Sequence, residues 1–317
     1  MKIALLPTGR TEWHGLPGAL KNLFPAEPAH EFYVVPTAAE IRSNPDGFPY
    51  PGFTTTPLRA AHETSPPEAA EELVGRAAQE ALGDRGVSPA DLVIVLDDLE
   101  LANSGQADRV CRVFCAAVQG HLAKLGAGGR STRMQKIFRE RVSFHLLVPM
   151  IEAIFFADPG ALKTSGVPEA MPVDFAPTCD PEDFQTSDTM YLAETAAACP
   201  CWSGLPRHRQ KRLRPKWLGD VDRARHPKGY LQWLCRDGEA SNCTRYNESS
   251  DGGKALAGLD WAAVMRRPAE QMQYIRAFVA DLEDALGQAP ITGAVAGQQA
   301  RDTSRFTPRT RPVLRNL

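Results

Sequence analysis

The first half of the chain alternates short apolar runs with longer stretches in which apolar residues recur every three to four positions. Residues 3–6, 31–35, 92–96 and 142–148 are the apolar runs. Val93, Ile94 and Val95 give the third the β-branched character of a strand buried on both faces of a parallel sheet. Residues 13–24, 67–82, 106–125 and 150–157 read as helices. In the third, Val110, Val113, Phe114, Ala117, Leu122 and Leu125 keep the period of a helix laid on a sheet. A Pro/Gly/Thr-rich loop covers 45–67, and a Gly/Arg/Ser loop precedes the fourth strand. Strand and helix in strict alternation predict an α/β fold, a doubly wound and mostly parallel sheet flanked by helices, over residues 1–157. Beyond it the pattern changes. Residues 158–287 read as a loop-rich and helical extension, with helices over 227–234 and 269–286 and a basic segment at 207–228. The polar residues 288–317 hold five Arg against one Asp without a sustained period, which predicts a solvated, disordered tail. No internal repeat is present.

Composition narrows the class. The chain has 317 residues, 43% hydrophobic and 23% charged, enough to bury a core without a disulfide or metal staple. Collagen-like, coiled-coil and wholly disordered chains are excluded. With 38 acids against 36 bases, overall charge steers the protein toward no polyanion. No apolar run reaches the length of a membrane span, and the apolar run at residues 3–6 is too short for a signal peptide, so a cytoplasmic protein with no membrane partner is expected. Seven cysteines, an odd number, argue for reduced thiols. Cys111 and Cys115 stand at helical spacing and read as buried small hydrophobes. Cys199, Cys201, Cys235 and Cys243 could supply four thiolates, but their spacing is not that of a zinc knuckle, so zinc is not expected. The seven histidines form no zinc-protease pattern, and neither a phosphate loop nor a nucleophile elbow occurs.

The candidate chemistry lies where the strands end, since open parallel sheets bind ligands beyond their carboxyl edge. The first strand runs into Thr8-Gly9-Arg10-Thr11-Glu12, the third into Asp97-Asp98-Leu99-Glu100, and the fourth leads through His145 and Pro149 to Glu152. Asp98 and Glu100 are two apart, so in extended backbone both carboxylates point to one face. Carboxylates that converge repel one another unless a hard cation such as Mg2+ sits between them. Such a set beside Arg10 suits divalent-metal phosphodiester chemistry. The plainer alternative makes Asp97 or Asp98 a helix cap and Glu12 a first-turn partner of the helix dipole. In the basic segment nine Lys and Arg face only Asp220 and Asp222. They could track a phosphate backbone, with Trp202, Trp217 and Trp233 stacking on bases. Alternatively Trp217, Tyr230, Leu231 and Trp233 are core and the cations form a solvated face or meet an acidic protein.

Taken in order, the strand with Gly9-Arg10-Thr11-Glu12, the strand ending Asp97-Asp98-Leu99-Glu100 and the segment Pro149-Met150-Ile151-Glu152-Ala153 resemble a TOPRIM domain, the fold of topoisomerases, primases and overcoming-lysogenization-defect nucleases. More narrowly the chain resembles a bacterial TOPRIM-like family of unknown function, often found beside ATPases in phage-defence neighbourhoods. Lys211-Arg212-Leu213-Arg214-Pro215-Lys216, His226-Pro227-Lys228-Gly229-Tyr230-Leu231, and Tyr246-Asn247-Glu248 with Gly252-Gly253 resemble its carboxyl-terminal block. The resemblance implies a Mg2+- or Mn2+-dependent nuclease acting on nucleic-acid phosphodiesters. Glu12, Asp98 and Glu100 would be catalytic, these three with Asp97 and Glu152 would hold metal, and Arg10, Arg212, Arg214, Lys216 and Lys228 would contact nucleic acid. One departure stands out: Thr8 occupies the place where related nucleases usually carry Glu, and a hydroxyl neither acts as a base near neutral pH nor supplies charge to a hard cation. Either Glu12 substitutes for it, or the protein is a non-catalytic binding or regulatory partner of an ATPase.

Overall fold

The computed structural model describes residues 1–25, 30–44, 50–83, 88–194, 222–235, 246–288 and 313–317. Four strands, β1 (Lys2–Pro7), β2 (Glu31–Val34), β3 (Leu92–Asp98) and β4 (Val142–Leu147), form one sheet in the order β2-β1-β3-β4 with every pair parallel. Alternation along the strands fills two cores. Ile3, Leu5, Leu92, Ile94 and Leu96 face one side, while Ala4, Leu6, Val93, Val95, Phe144 and Leu146 face the other. The second side is covered by α3 (Glu68–Leu82), α4 (Ala107–Lys124) and α5 (Gly129–Arg141), and a short α2 (Ala38–Ser43) follows β2. Stacked rings of Phe114 and Phe144, 4.2 Å apart, lock α4 to β4.

The first side is covered by α1 (Arg10–Leu23) and by residues after 157, which share this core. Tyr230, Leu231, Trp233, Leu256 and Phe278 are all buried beside Leu16 and Leu20. The backbone of α1 approaches the helix Gly253–Ala257 so closely that a Cβ on Gly15 would stand 2.5 Å from the Gly253 carbonyl oxygen. Small residues at this crossing bring residues 246–252 onto the first turn of α1. The helix Pro227–Leu234 is anchored by Tyr230, whose hydroxyl accepts from the Asp174 N–H at 2.8 Å and donates to Asp188 at 2.9 Å.

Several expectations change. Helix α1 begins at Arg10, not Trp13, which puts Glu12 in its first turn. Part of the Gly/Arg/Ser loop is the helix α5, which buries only Met134 and Phe138 and so has too narrow an apolar stripe to announce itself. The helix expected over 150–157 is a 3-10 helix, Ile151–Ala157, with all seven residues buried. The last five residues, expected to belong to a solvated tail, lie on the outer edge of β4. There the Asn316 side chain donates to the Phe144 carbonyl at 2.7 Å and accepts from its N–H at 3.0 Å. Asp281, on the helix Gln273–Leu286, meets His145 Nε2 at 2.9 Å and Arg315 Nε at 2.7 Å, tying that segment down. Cys111 and Cys115 are half-buried rather than buried. Trp233 is core, stacked on Tyr230 at 5.9 Å, and is closed to any nucleobase. Among the described residues no helix is long and apolar enough to cross a membrane.

Candidate functional site

Between β1 and β3 the chain reverses the direction in which strands are added, which makes this the switch point of the sheet, where the two flanking loops part and leave a crevice. A cavity of about 200 Å³ opens there. Thr8, Gly9 and Arg10 form one wall, Asp97, Asp98 and Glu100 the opposite one, and Gly52, Thr54 and Thr55 a third. Lys228 and Glu248 close it from the residues that cover α1.

Glu12 is 2% exposed, and its carboxylate folds back beneath Gly9: a Cβ at position 9 would meet Glu12 Oε2 at 2.1 Å. Gly9 is therefore required by this contact, since its backbone is ordinary extended chain. Burial, and then the charge of Glu152, push the Glu12 carboxyl up to about 8. Asp98 is held well above the usual carboxylate range by burial and by Glu12, Glu100 and Glu152, with Lys228 opposing. Its Oδ1 accepts from the Ile151 N–H at 3.1 Å, capping the buried 3-10 helix, while the residue also lines the cavity. Asp98 thus caps a helix, but the one after β4 and not the one that follows it in the chain, and it keeps its place in the cluster.

Asp97 is 1% exposed and is pushed up to about 7 by burial, against the Thr8 hydroxyl that donates to its Oδ1 at 2.5 Å. The Thr54 hydroxyl and the Phe53 backbone N–H also favour the ionised form of Asp97, while the charge of Glu100 opposes it. Glu152 is also buried, and its Oε1 accepts from the hydroxyls of Thr11 at 3.1 Å and Tyr246 at 3.0 Å. The Lys228 ammonium stands 3.0 Å from Glu248 and 4.0 Å from Glu152. Burial alone lowers the pKa of Lys228, but those two carboxylates outweigh it and push it above the usual lysine value.

The structure thus places Asp97, Asp98 and Glu100 in the lining of one crevice, with Glu12 and Glu152 buried close enough to act on Asp98, Arg10 exposed at the mouth and Lys228 among the acids. Arg212, Arg214, Lys216, Cys199, Cys201, Cys243, Trp202 and Trp217 lie outside the described residues. Among the described residues no three His, Cys, Asp or Glu side chains are placed to hold a metal ion. The acids are arranged around the Lys228 ammonium and not gathered on one point. Cys235, the described member of the cysteine set, is buried with its thiol 3.4 Å from the Ser165 carbonyl oxygen. Sequence reasoning did not anticipate the roles of Glu248, Thr11 and Tyr246 or the loop at Gly52. Tyr246-Asn247-Glu248 stood out as a motif, but only the fold carries it across to α1. Comparison with protein-family models, curated proteins and solved structures finds no match to this chain.

Proposed function

We propose that the β1/β3 crevice takes a divalent cation, Mg2+ or Mn2+, and that with it the protein cleaves nucleic-acid phosphodiesters. The observation carrying this reading is the crowding of Glu12, Asp98, Glu100 and Glu152 at the switch point, where burial first and then neighbouring carboxylates push Glu12 up to about 8 and raise Asp98. The donors are all oxygens, the type a hard cation prefers, but they are not gathered on one point, so a cation would have to draw Asp98, Glu100 and Glu12 together and compete with Lys228 for the acids. Such a cation supplies charge neutralisation at the phosphoryl oxygens and a lowered pKa for an attacking water. Glu12, Asp98 and Glu100 would hold it, with Asp97 and Glu152 behind them.

The remaining steps fall to the protein's own groups. Arg10 at the mouth and Lys228, which is paired with Glu248, are the cations in the crevice lining that would meet an incoming phosphate. Without a cation Glu12 keeps its proton near neutral pH, so cation binding at this carboxylate would release that proton and tighten as pH rises. Under the resemblance, Glu12, whose carboxylate lies beneath Gly9, would take the place of the acid that the TOPRIM-like nucleases carry one residue before the glycine. The motif order supports a TOPRIM-like identity, and Thr8 in place of the usual acid departs from it.

The test incubates the protein with plasmid, single-stranded DNA and RNA in Mg2+ and in Mn2+, comparing wild type with Asp98→Asn. Metal-dependent cleavage lost in the variant is the expected result, and equal cleavage by both refutes the reading. A second reading, a non-catalytic partner of an ATPase in phage defence, is favoured by Lys228, which already neutralises Glu152 and Glu248 from within. Co-purification with an ATPase encoded beside it, without cleavage, would select that reading.

A further inference from the structure

A second cavity, of about 360 Å³, lies on the same edge of the sheet, at the ends of β3 and β4. Residues 98–101 form the partition. Asp98 and Glu100 face the acidic crevice, whereas Leu99 and Leu101 face the larger cavity. The partition is held to the exit of β4 by backbone bonds from the N–H of Leu99 to the Leu147 carbonyl, 2.8 Å, and from that of Glu100 to the Pro149 carbonyl, 2.9 Å. One chain segment borders both spaces, contributing Lys228 to the crevice and Arg225 to the cavity. That segment is fixed in turn, since the Thr186 N–H donates to the Ala224 carbonyl at 2.9 Å and the Tyr191 hydroxyl to that of Arg223 at 3.0 Å.

The lining selects a kind of ligand. The partly exposed Leu101, Val148 and Tyr274 make an apolar floor, backed by the buried Leu99, Pro149 and Phe184, the last stacked on Phe175 at 5.2 Å. The Glu182 carboxylate is engaged, accepting from the backbone N–H groups of Tyr274 and Ile275 at the start of the helix Gln273–Leu286. The rim carries Arg225 and the carboxylates of Asp108 and Asp183. Arg225 opposes a bound cation and the carboxylates oppose a bound anion. A flat, neutral ring with amino donors and carbonyl or ring-nitrogen acceptors on its edge satisfies both signs and the floor as well. The volume falls in the usual range for small-ligand sites, about 300–1,000 Å³. Arg225 and Asp183 are 3.7 Å apart and exposed, so the rim gives way at little cost.

We infer that this cavity receives the heteroaromatic base of a nucleotide whose phosphate lies in the acidic crevice. The inference rests on the proposed phosphodiester chemistry for the phosphate half, but the base half can be measured alone. The experiment titrates wild type, Ser104→Trp, Arg225→Ala and Asp98→Asn with a nucleoside, the matching mononucleotide, a single-stranded tetranucleotide and ribose 5-phosphate, in Mg2+. Ser104 is exposed on the cavity rim, so a tryptophan side chain there fills the space without entering a core. Wild type is expected to bind the mononucleotide about tenfold or more tighter than ribose 5-phosphate, the size of one base-stacking contact. Ser104→Trp and Arg225→Ala should lose that advantage and keep ribose 5-phosphate, while Asp98→Asn should lose ribose 5-phosphate and keep the nucleoside. Relative affinities of mononucleotide and tetranucleotide then separate a free nucleotide from a strand end. Equal affinity for mononucleotide and ribose 5-phosphate, no nucleoside binding, or a base preference that survives both cavity variants would overturn the inference and leave the acidic crevice standing. Ribose 5-phosphate binding unchanged in Asp98→Asn would instead overturn the crevice reading.

Discussion

Replacing Glu12 by Gln should stabilise the protein, and increasingly so as pH rises. In the folded chain the Glu12 carboxyl ionises at about 8, against an ordinary value of 4.5, because it is buried beside Glu152. Its folded pKa is therefore the higher one, so between these values the native state binds more protons than the unfolded state. Stability from this group is complete at acidic pH and is lost as pH rises toward 8. Each pH unit in that window is worth about 1.36 kcal/mol, which gives a ceiling of about 4–5 kcal/mol, and local relaxation and water entry should leave roughly half. Gln keeps the shape and the protonated charge, and its carbonyl can still accept the backbone hydrogen bond that Glu12 receives from its own N–H. Urea melts in chelator should show the two proteins equal near pH 5 and the variant about 2 kcal/mol more stable at pH 8, several degrees in Tm for a chain of this size. Saturating Mg2+ at pH 8 should narrow the gap, because a cation bound at 100 times its Kd adds about 2.7 kcal/mol to wild type. A variant no more stable at pH 8, or a gap that does not change with pH, would refute the argument.

Other changes probe the supports. A Cβ on Gly252 would stand 2.5 Å from the Tyr246 hydroxyl and 2.8 Å from that of Thr11, so Gly252→Ala should displace both groups that hold Glu152. It should cost about 1–3 kcal/mol in urea melts and weaken cation binding in calorimetry. Gly9→Ala should drive the Glu12 carboxylate from its place and abolish any cleavage while leaving the far-UV spectrum unchanged. Asn316→Ala removes both hydrogen bonds to Phe144 on the edge of β4 and should cost about 1–3 kcal/mol, read as a lowered denaturation midpoint. Tyr230→Phe leaves Asp188 and the Asp174 N–H without their partner, and should cost a similar amount while speeding proteolysis within residues 171–194.

The sheet was readable because its strands are buried on both faces, and unbroken apolar runs such as residues 92–96 have few other uses. The helix α5 was not, since two buried residues among exposed arginines give no stripe to detect. The same contrast holds at the site. Asp98, Glu100 and Glu12 stand beside strand ends, where the parallel-sheet rule points. Glu248 reaches the crevice from a segment 236 residues beyond Glu12, through glycine contacts between helices that no local pattern encodes. Lys228 looked like one more cation in a basic segment, and only its position between Glu152 and Glu248 shows that it balances the acids.

Calorimetric titration of Mn2+ into wild type and Asp98→Asn tests the central claim most directly. The amide oxygen introduced by that substitution can still accept the hydrogen bond from the Ile151 N–H, so the change removes charge while preserving the cap. The account predicts one saturable cation site per chain in wild type, weakened about tenfold or more in the variant with its melting curve intact. No binding to wild type, or identical isotherms for the two proteins, would contradict it.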